Sequence, residues 1–251
     1  MAKQKGIFKL KGTIGDVTFY KTRDGHIAKE KSGVDAKRIA NDPAFERTRE
    51  NGREFGTAGK GGQLIRKGLR LLLLNAKDSR VGSRLLKALM TVIKTDAIND
   101  RGQRTIQDGD MSLLKGFDFN VRGKLGTALF SGYTTTFDRA AGTLEVALEA
   151  FTPQITIEAP TGTTHFEVVG GLCATDFTNR TFEEGHALSG ILPWDHEEVA
   201  GITLNASIGA GSVQPVLTVV GVNFYQDVNG KMYPLKNGTF NALGVVDVDQ
   251  L

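Results

Sequence analysis

Val216-Leu-Thr-Val-Val-Gly-Val-Asn-Phe-Tyr225 decides the fold class of the C-terminal half. Seven of its ten residues are β-branched or aromatic, which suits a pleated strand. The same character recurs on both sides. Upstream, Leu144, Val146 and Leu148 alternate, as do Ile155 and Ile157, Phe166 and Val168, Leu188 and Ile191, and Ile202 and Leu204. Downstream, Asn229-Gly230 and Asn237-Gly238 are hairpin-turn dipeptides, and Phe240 to Val248 reads as a last strand. Seven or more short strands with regular turn signals predict an antiparallel β-sandwich over residues 117–251, with a closed barrel as the alternative.

Before residue 117 the period changes from two to that of a helix. Asp42-Pro43 marks a helix start, Asp42 as N-cap and Pro43 at the first helical position, with Glu46 in the first turn where the dipole favours an anion. Phe45 and Phe55, ten residues apart, share nearly one face, with Arg47, Arg49 and Arg53 mostly on others. Glycines at 52, 56, 59, 61 and 62 then crowd the helix, each costing about 1 kcal/mol relative to alanine. Either the helix breaks, or Gly52, Gly56 and Gly59 form a flat strip for close packing. The glycine spacing favours a helix to about residue 58, a break near 59–62 and a second helix through about 75 that carries Leu64, Ile65, Leu69, Leu72 and Leu73. A third helix follows Asp78-Ser79, with Val81, Leu85, Leu89 and Val92 on one stripe. Residues 100–116 read as turns with one helical turn near Met111 to Lys115, and residues 32–42 as a linker.

The N-terminal stretch alternates, with strands expected near 6–11, 16–22 and 26–31 and a hairpin turn at Asp24-Gly25. The fold class is therefore α+β: a β-hairpin arm (1–31), a basic helical region (32–116) and an acidic β-sandwich (117–251). The arm has few large apolar residues, among them Ile7, Leu10, Phe19 and Tyr20, and so small a sheet needs cover from its own subunit or from a neighbouring copy.

A formal net charge of only +3 conceals a division. Residues 1–125 hold 27 Lys+Arg against 14 Asp+Glu, a net +13; residues 126–251 hold 4 against 14, a net −10. Such a split suits a polyanion partner for the basic half, head-to-tail attraction between copies, or contact of the two halves within one subunit. At 251 residues, 40% hydrophobic and 24% charged, the chain can build a real core. A single cysteine, Cys173, excludes an intrachain disulfide. No apolar run approaches the roughly 20 residues of a membrane span, and the basic start lacks the apolar stretch of a signal peptide. The expectation is a protein synthesised in the cytoplasm, with no membrane partner, that stays there or enters a virion or a particle released by a dedicated route.

Chemistry-bearing patterns are sparse. The four histidines fall in no HxH or HxxxH arrangement, and Asp195-His196-Glu197-Glu198 reads as a solvated acidic loop. Cys173 sits in an expected strand and reads as core packing. Gly59-Lys60 lacks the spacing of a phosphate loop. Asp247 and Asp249 would share a strand face as solvated carboxylates. No catalytic, cofactor or metal site is expected.

Two N-terminal segments, Lys9-Leu-Lys-Gly-Thr-Ile-Gly-Asp-Val-Thr-Phe-Tyr20 with Asp24-Gly25, and Ala36-Lys-Arg-Ile-Ala-Asn-Asp-Pro-Ala-Phe-Glu-Arg-Thr-Arg-Glu-Asn51, resemble a group of uncharacterised Bacteroidota proteins. Gly221-Val-Asn-Phe-Tyr-Gln226 and Tyr233-Pro-Leu-Lys-Asn-Gly-Thr-Phe-Asn-Ala242 are similar to members of the same group. The resemblance implies a shared architecture and a bacterial or phage-like origin, and it carries no activity and no site residue. The leading expectation is a non-enzymatic structural protein that self-associates into a tube, sheath, filament or shell. Its interface candidates are Ile7, Leu10, Phe19, Tyr20, Arg47, Arg49, Arg53, Gly52, Gly56 and Gly59. The alternatives are a nucleic-acid-associated protein using the basic helices, and a ligand- or carbohydrate-binding sandwich with Trp194, Tyr225 and Tyr233 as an aromatic platform.

Overall fold

In the computed structural model, which describes residues 2–30 and 33–251, the chain divides into two units, 1–50 and 51–251. The expected strand end at Lys31 and the start of the linker at Ser32 lie outside the described residues. The first unit opens with a four-stranded antiparallel sheet: β1 (Ala2–Lys3), β2 (Gly12–Ile14), β3 (Val17–Thr22) and β4 (Gly25–Glu30), in the order β1-β4-β3-β2. Residues 6–11 are a loop, not a strand. Gln4 accepts from Leu10 N at 2.9 Å, while Lys9 Nζ donates to the carbonyls of Gln4 and Gly6 at 2.6 and 2.7 Å, so side chains satisfy the backbone that a ladder would have used. The hairpin turn is Arg23-Asp24, one residue earlier than expected, because Thr22 pairs with Gly25.

The stretch expected to be a linker contains α1 (Ala36–Asn41), whose N-cap Asp35 accepts from Lys37 N. Asp42 caps the next segment as expected, accepting from Ala44 N at 2.9 Å across a 3-10 turn at Pro43–Phe45. The chain then enters α2 (Glu46–Gly68), 23 residues without a break. The expected interruption at 59–62 is absent; the helix is first disturbed at Leu69, ahead of α3 (Arg70–Leu73). Packing overrides propensity here. A Cβ at Gly62 would press on Leu89, one at Gly61 would collide with Ile106, and one at Gly68 would collide with Cys173 Sγ. Those glycines let α2 approach its neighbours closely.

The second unit continues with α4 (Val81–Thr95), which buries Val81, Leu85, Leu89, Val92 and Ile93 as the sequence stripe predicts. A 3-10 turn at Met111–Leu114 also falls where expected. After α5 (Leu125–Ala128) come β5 (Tyr133–Asp138), β6 (Thr143–Leu148), α6 (Pro153–Thr156), β7 (His165–Asp176), β8 (Thr181–Leu188), β9 (Leu192–Pro193), β10 (Ile202–Ser207), β11 (Val216–Val228), β12 (Lys231–Pro234) and β13 (Ala242–Asp249). Ile155 was expected in a strand, but Pro153 at the first helical turn places it in α6, and Ile157 keeps only an isolated bridge to Leu129.

β7 and β11 form the centre of a six-stranded antiparallel sheet and are buried along most of their length, because both faces are covered. Val169, Cys173, Leu217 and Val219 face the helices, packing with Ile65, Leu69, Leu85 and Leu89. Phe166, Val168, Leu172, Val220, Val222 and Phe224 face a second, three-stranded sheet ordered β10-β6-β5, packing with Leu144, Val146, Leu148 and Leu204. The result is helices on a sheet on a sheet, with two cores that share the middle layer. β8 and β10 approach at one side, where Gly209 N donates to Glu183 Oε2 at 2.8 Å, so the sandwich curls towards a half-barrel. The helices from residue 51 onward thus share a core with the strands. No helix among the described residues is long and apolar enough to cross a membrane.

Beyond the Asn229-Gly230 turn, β12 and β13 pair in succession with β11. The segment between them loops out and breaks the pairing; Lys236, Asn237 and Gly238 all take positive φ (46°, 54° and 72°). Asn237-Gly238 is therefore not the tip of a hairpin, as expected, but part of an excursion from an interrupted strand.

Candidate assembly surface

None of the described residues from 2 to 50 is buried. This follows from the register. Ile14 pairs with Val17, and Phe19 lies between Gly12 and Ala28, so one face carries a short apolar row. Tyr20 pairs with Ile27, and both share the opposite face with Thr18 and Thr22. The expected interface residues Phe19 and Tyr20 are thus both half-buried and on opposite faces. Ile7 and Phe8 stand at the tip of the loop tied by Gln4 and Lys9, 96% and 88% exposed, with Leu10 also exposed. Lys3, Lys5, Lys9 and Lys11 flank that tip in the sequence, and no carboxylate occurs before Asp16. Phe8 was not among the expected interface residues.

The expected cations differ in role. Arg49 Nη1 donates to the carbonyls of Ile39 and Asp42 at 2.9 and 2.8 Å, tying down the end of α1. Arg47 pairs with Glu50 at 3.1 Å. Arg53 is exposed and makes no hydrogen bond or ion pair among the described residues. Arg38 pairs with Asp42 at 3.0 Å and lies over the Phe45 ring. Hydrogen bonds from Ala44 N and from Arg38 hold the Asp42 carboxyl below its usual range.

Gly52 and Gly56 have open space where a Cβ would be, and Gly59 meets only Leu86 at 3.8 Å. The expected strip is not packed within this chain; the close contacts lie further along, at Gly61, Gly62 and Gly68. Phe55, expected on nearly the same face as Phe45, is 53% exposed beside Gly52 and Gly56. One side chain on this part of α2 turns inward. Glu54 is buried, accepts from Gly102 N at 2.8 Å and lies 4.0 Å from Arg104 Nε.

The acidic half presents a polar sheet face. Thr136, Glu145 and Asn205 align across β5, β6 and β10, as do Asp138, Thr143 and Ser207, and all six are exposed. β5 and β10 end that sheet. His196, Glu197 and Glu198 are exposed in their loop.

Other sequence features do not assemble into a site. Tyr225 pairs with Pro234 and Tyr233 with Gln226, which puts the two tyrosines on opposite faces, and Trp194 Nε1 donates to Ile157 O at 3.1 Å. The aromatic platform is not formed. Among the described residues no group of three His, Cys, Asp or Glu is placed to hold a metal. Cys173 is fully buried, and burial pushes its thiol up to about 11. Asp247 and Asp249 are not merely solvated: Lys115 holds one at 3.0 Å and Arg139 the other at 2.8 Å. One buried polar cluster was missed in the sequence. Glu167 accepts from Asn223 Nδ2 at 3.1 Å and from Tyr225 OH at 3.0 Å. Burial and the Glu167 charge push the Tyr225 phenol up to about 12. Asn241 joins the cluster through Asn223 and closes it against Phe224 N.

No family model, curated protein or solved structure matches the chain.

Proposed function

We propose that this is a non-enzymatic structural protein that self-associates into a larger assembly, with residues 1–31 as the assembly arm and the acidic β-domain of a neighbouring copy as its receptor. One observation carries the reading: a folded sheet and its flanking helix start have no buried residue of their own. Ordering a backbone residue costs about 1–2 kcal/mol, and full burial of a large apolar side chain contributes roughly 1.5–3 kcal/mol against that cost. An arm that exposes Ile7 and Phe8 gains that burial on contact with another surface. Charge supports a second copy as that surface, since the arm's lysine-flanked tip complements a half with net charge −10. The contact would join unlike patches, and such contacts close into rings or extend into filaments. The short edge strands β1 and β2 also leave pairing groups for a neighbouring sheet.

Light scattering of the full chain and of a chain lacking residues 1–31, at low and high salt, tests this. The full chain should form large species at low salt that shrink as salt rises. The shortened chain should keep its β circular dichroism and run as a monomer. A full chain that is monomeric at high concentration and low salt overturns the proposal. So does a shortened chain that assembles as before, or one that unfolds.

A further inference from the structure

The excursion between β12 and β13 has a neighbour that the assembly reading does not use. A cleft of about 680 Å³ lies where three segments of the second unit meet: 77–84 at the start of α4, 120–122, and 237–239. Hydrogen bonds fix these walls. Asp78 N donates to Phe119 O at 3.2 Å, and Arg84 Nη1 donates to Asp118 O at 2.7 Å. Asn120, itself buried, donates to the carbonyls of Thr239 and Asn241 at 2.9 and 2.8 Å.

Four cations line the cleft, Lys77, Arg80, Arg84 and Arg122, against one carboxylate, Asp78. That carboxylate is already engaged. It accepts from Arg80 N and from Val121 N at 3.1 Å and pairs with the Arg84 guanidinium. Burial pushes its carboxyl up, but these bonds outweigh burial and hold it below the usual carboxylate range. Lys77 and Arg122 make no side-chain hydrogen bond or ion pair among the described residues. The same wall is the N-terminus of α4, a 15-residue helix whose first turn contains no acidic residue and whose N-cap, Arg80, gives no capping bond from its side chain. Asp78 already meets this helix start, with Val81 N donating to Asp78 O at 3.4 Å and Ser83 N to Arg80 O at 3.0 Å, so the cleft's attraction for an anion comes from its side-chain cations. Asn237, on another wall of the cleft, has a positive φ of 54°.

The geometry points to a binding site in this cleft for a small, multiply charged oxyanion of the phosphate class, such as a polyphosphate or a sugar phosphate. Guanidinium groups match phosphate oxygens in pairs, and the volume suits a ligand larger than a single phosphate. No aromatic side chain lines the cleft, so the ligand is recognised by its charge and not by a stacked ring.

Calorimetric titration of the full chain with inorganic tripolyphosphate tests the inference. Wild-type protein should bind at one site per chain, and the Lys77→Ala/Arg122→Ala double variant should bind at least about tenfold more weakly with an unchanged melting temperature. A control that removes two exposed cations elsewhere on the unit, Lys67→Ala/Lys94→Ala, should stay within about twofold of wild type. No heat of binding at millimolar tripolyphosphate overturns the site. Equal weakening in both double variants also overturns it, because that shows diffuse attraction to a basic surface.

Discussion

The two units meet the same requirement in opposite ways. Each contains an antiparallel sheet, and each sheet needs its apolar side chains covered. In residues 51–251 both faces of the central strands are covered, by helices on one side and a second sheet on the other, and Phe166, Val168, Val222 and Phe224 are almost fully buried. In residues 1–50 no described residue is buried, and the apolar residues with the greatest exposure, Ile7 and Phe8, stand at a loop tip held shut by polar side chains. The order of the N-terminal unit thus rests on backbone pairing and on a few side chains that satisfy the main chain. Such an arrangement is suited to gaining stability from a partner, whereas the C-terminal unit is already complete.

Paired substitutions break this comparison most sharply. Phe166→Ala should cost the second unit about 3–5 kcal/mol, since it empties a packed site between two sheets. Phe8→Ala should leave the melting temperature where it was and instead reduce the size of the low-salt species. Melting and light scattering on both variants check this; a large melting shift for Phe8→Ala would show that the tip belongs to a core.

Acid should distinguish the units next. Asp96, 3% exposed at the end of α4, is pushed up by burial. Hydrogen bonds from Thr105 N, from the Asn99 side chain and backbone and from Ile98 N outweigh that and bring it down to about 2. A carboxyl with a folded value below its free value of 3.8 stabilises the fold above about pH 4, and that contribution fades as pH falls towards 2. Asp96→Asn should therefore melt well below wild type at neutral pH, and the gap should narrow between pH 4 and 2. A gap that stays constant over that range would assign the loss to shape and not to charge.

How much of this was legible in the sequence depends on how local the cause was. β6, β10 and β11, the Asn229-Gly230 turn, the Asp42 cap and the apolar stripe of α4 all follow from residues within a few positions of one another. β5 escaped notice because Thr134, Thr135 and Thr136 blur its alternation between Tyr133 and Phe137. The loop over 6–11 depends on what the Gln4 and Lys9 side chains bond to, which strand propensity does not encode. The basic cleft was invisible for a different reason: its walls come from near residues 80, 121 and 238, and only the tertiary fold brings them together. The continuity of α2 is the plainest failure of local reasoning, since five glycines within eleven residues argue for a break that packing removes.

That helix also provides the finest contrast, because it starts in one unit and ends in the other. At Gly68 a Cβ would run into Cys173 Sγ, fully buried on the central strand β7, and would press on Phe182 at 3.3 Å. Gly68→Ala should therefore destabilise by about 1–3 kcal/mol, as overpacking does. At Gly56 nothing lies within 4 Å. Gly56→Ala should raise stability by up to about 1 kcal/mol, because alanine loses less backbone freedom on entering a helix. The isolated chain thus has no use for glycine at this position, and the same applies to Gly52. If a neighbouring copy packs its backbone against this face, Gly56→Leu should weaken assembly while leaving the monomer's melting temperature no lower than wild type. Unchanged melting with unchanged assembly would show that the face of Gly52, Gly56 and Phe55 is simply solvated and that the arm alone makes the contact. A fall in melting for Gly56→Leu at salt concentrations where the chain is monomeric would instead place this face inside the subunit's own packing.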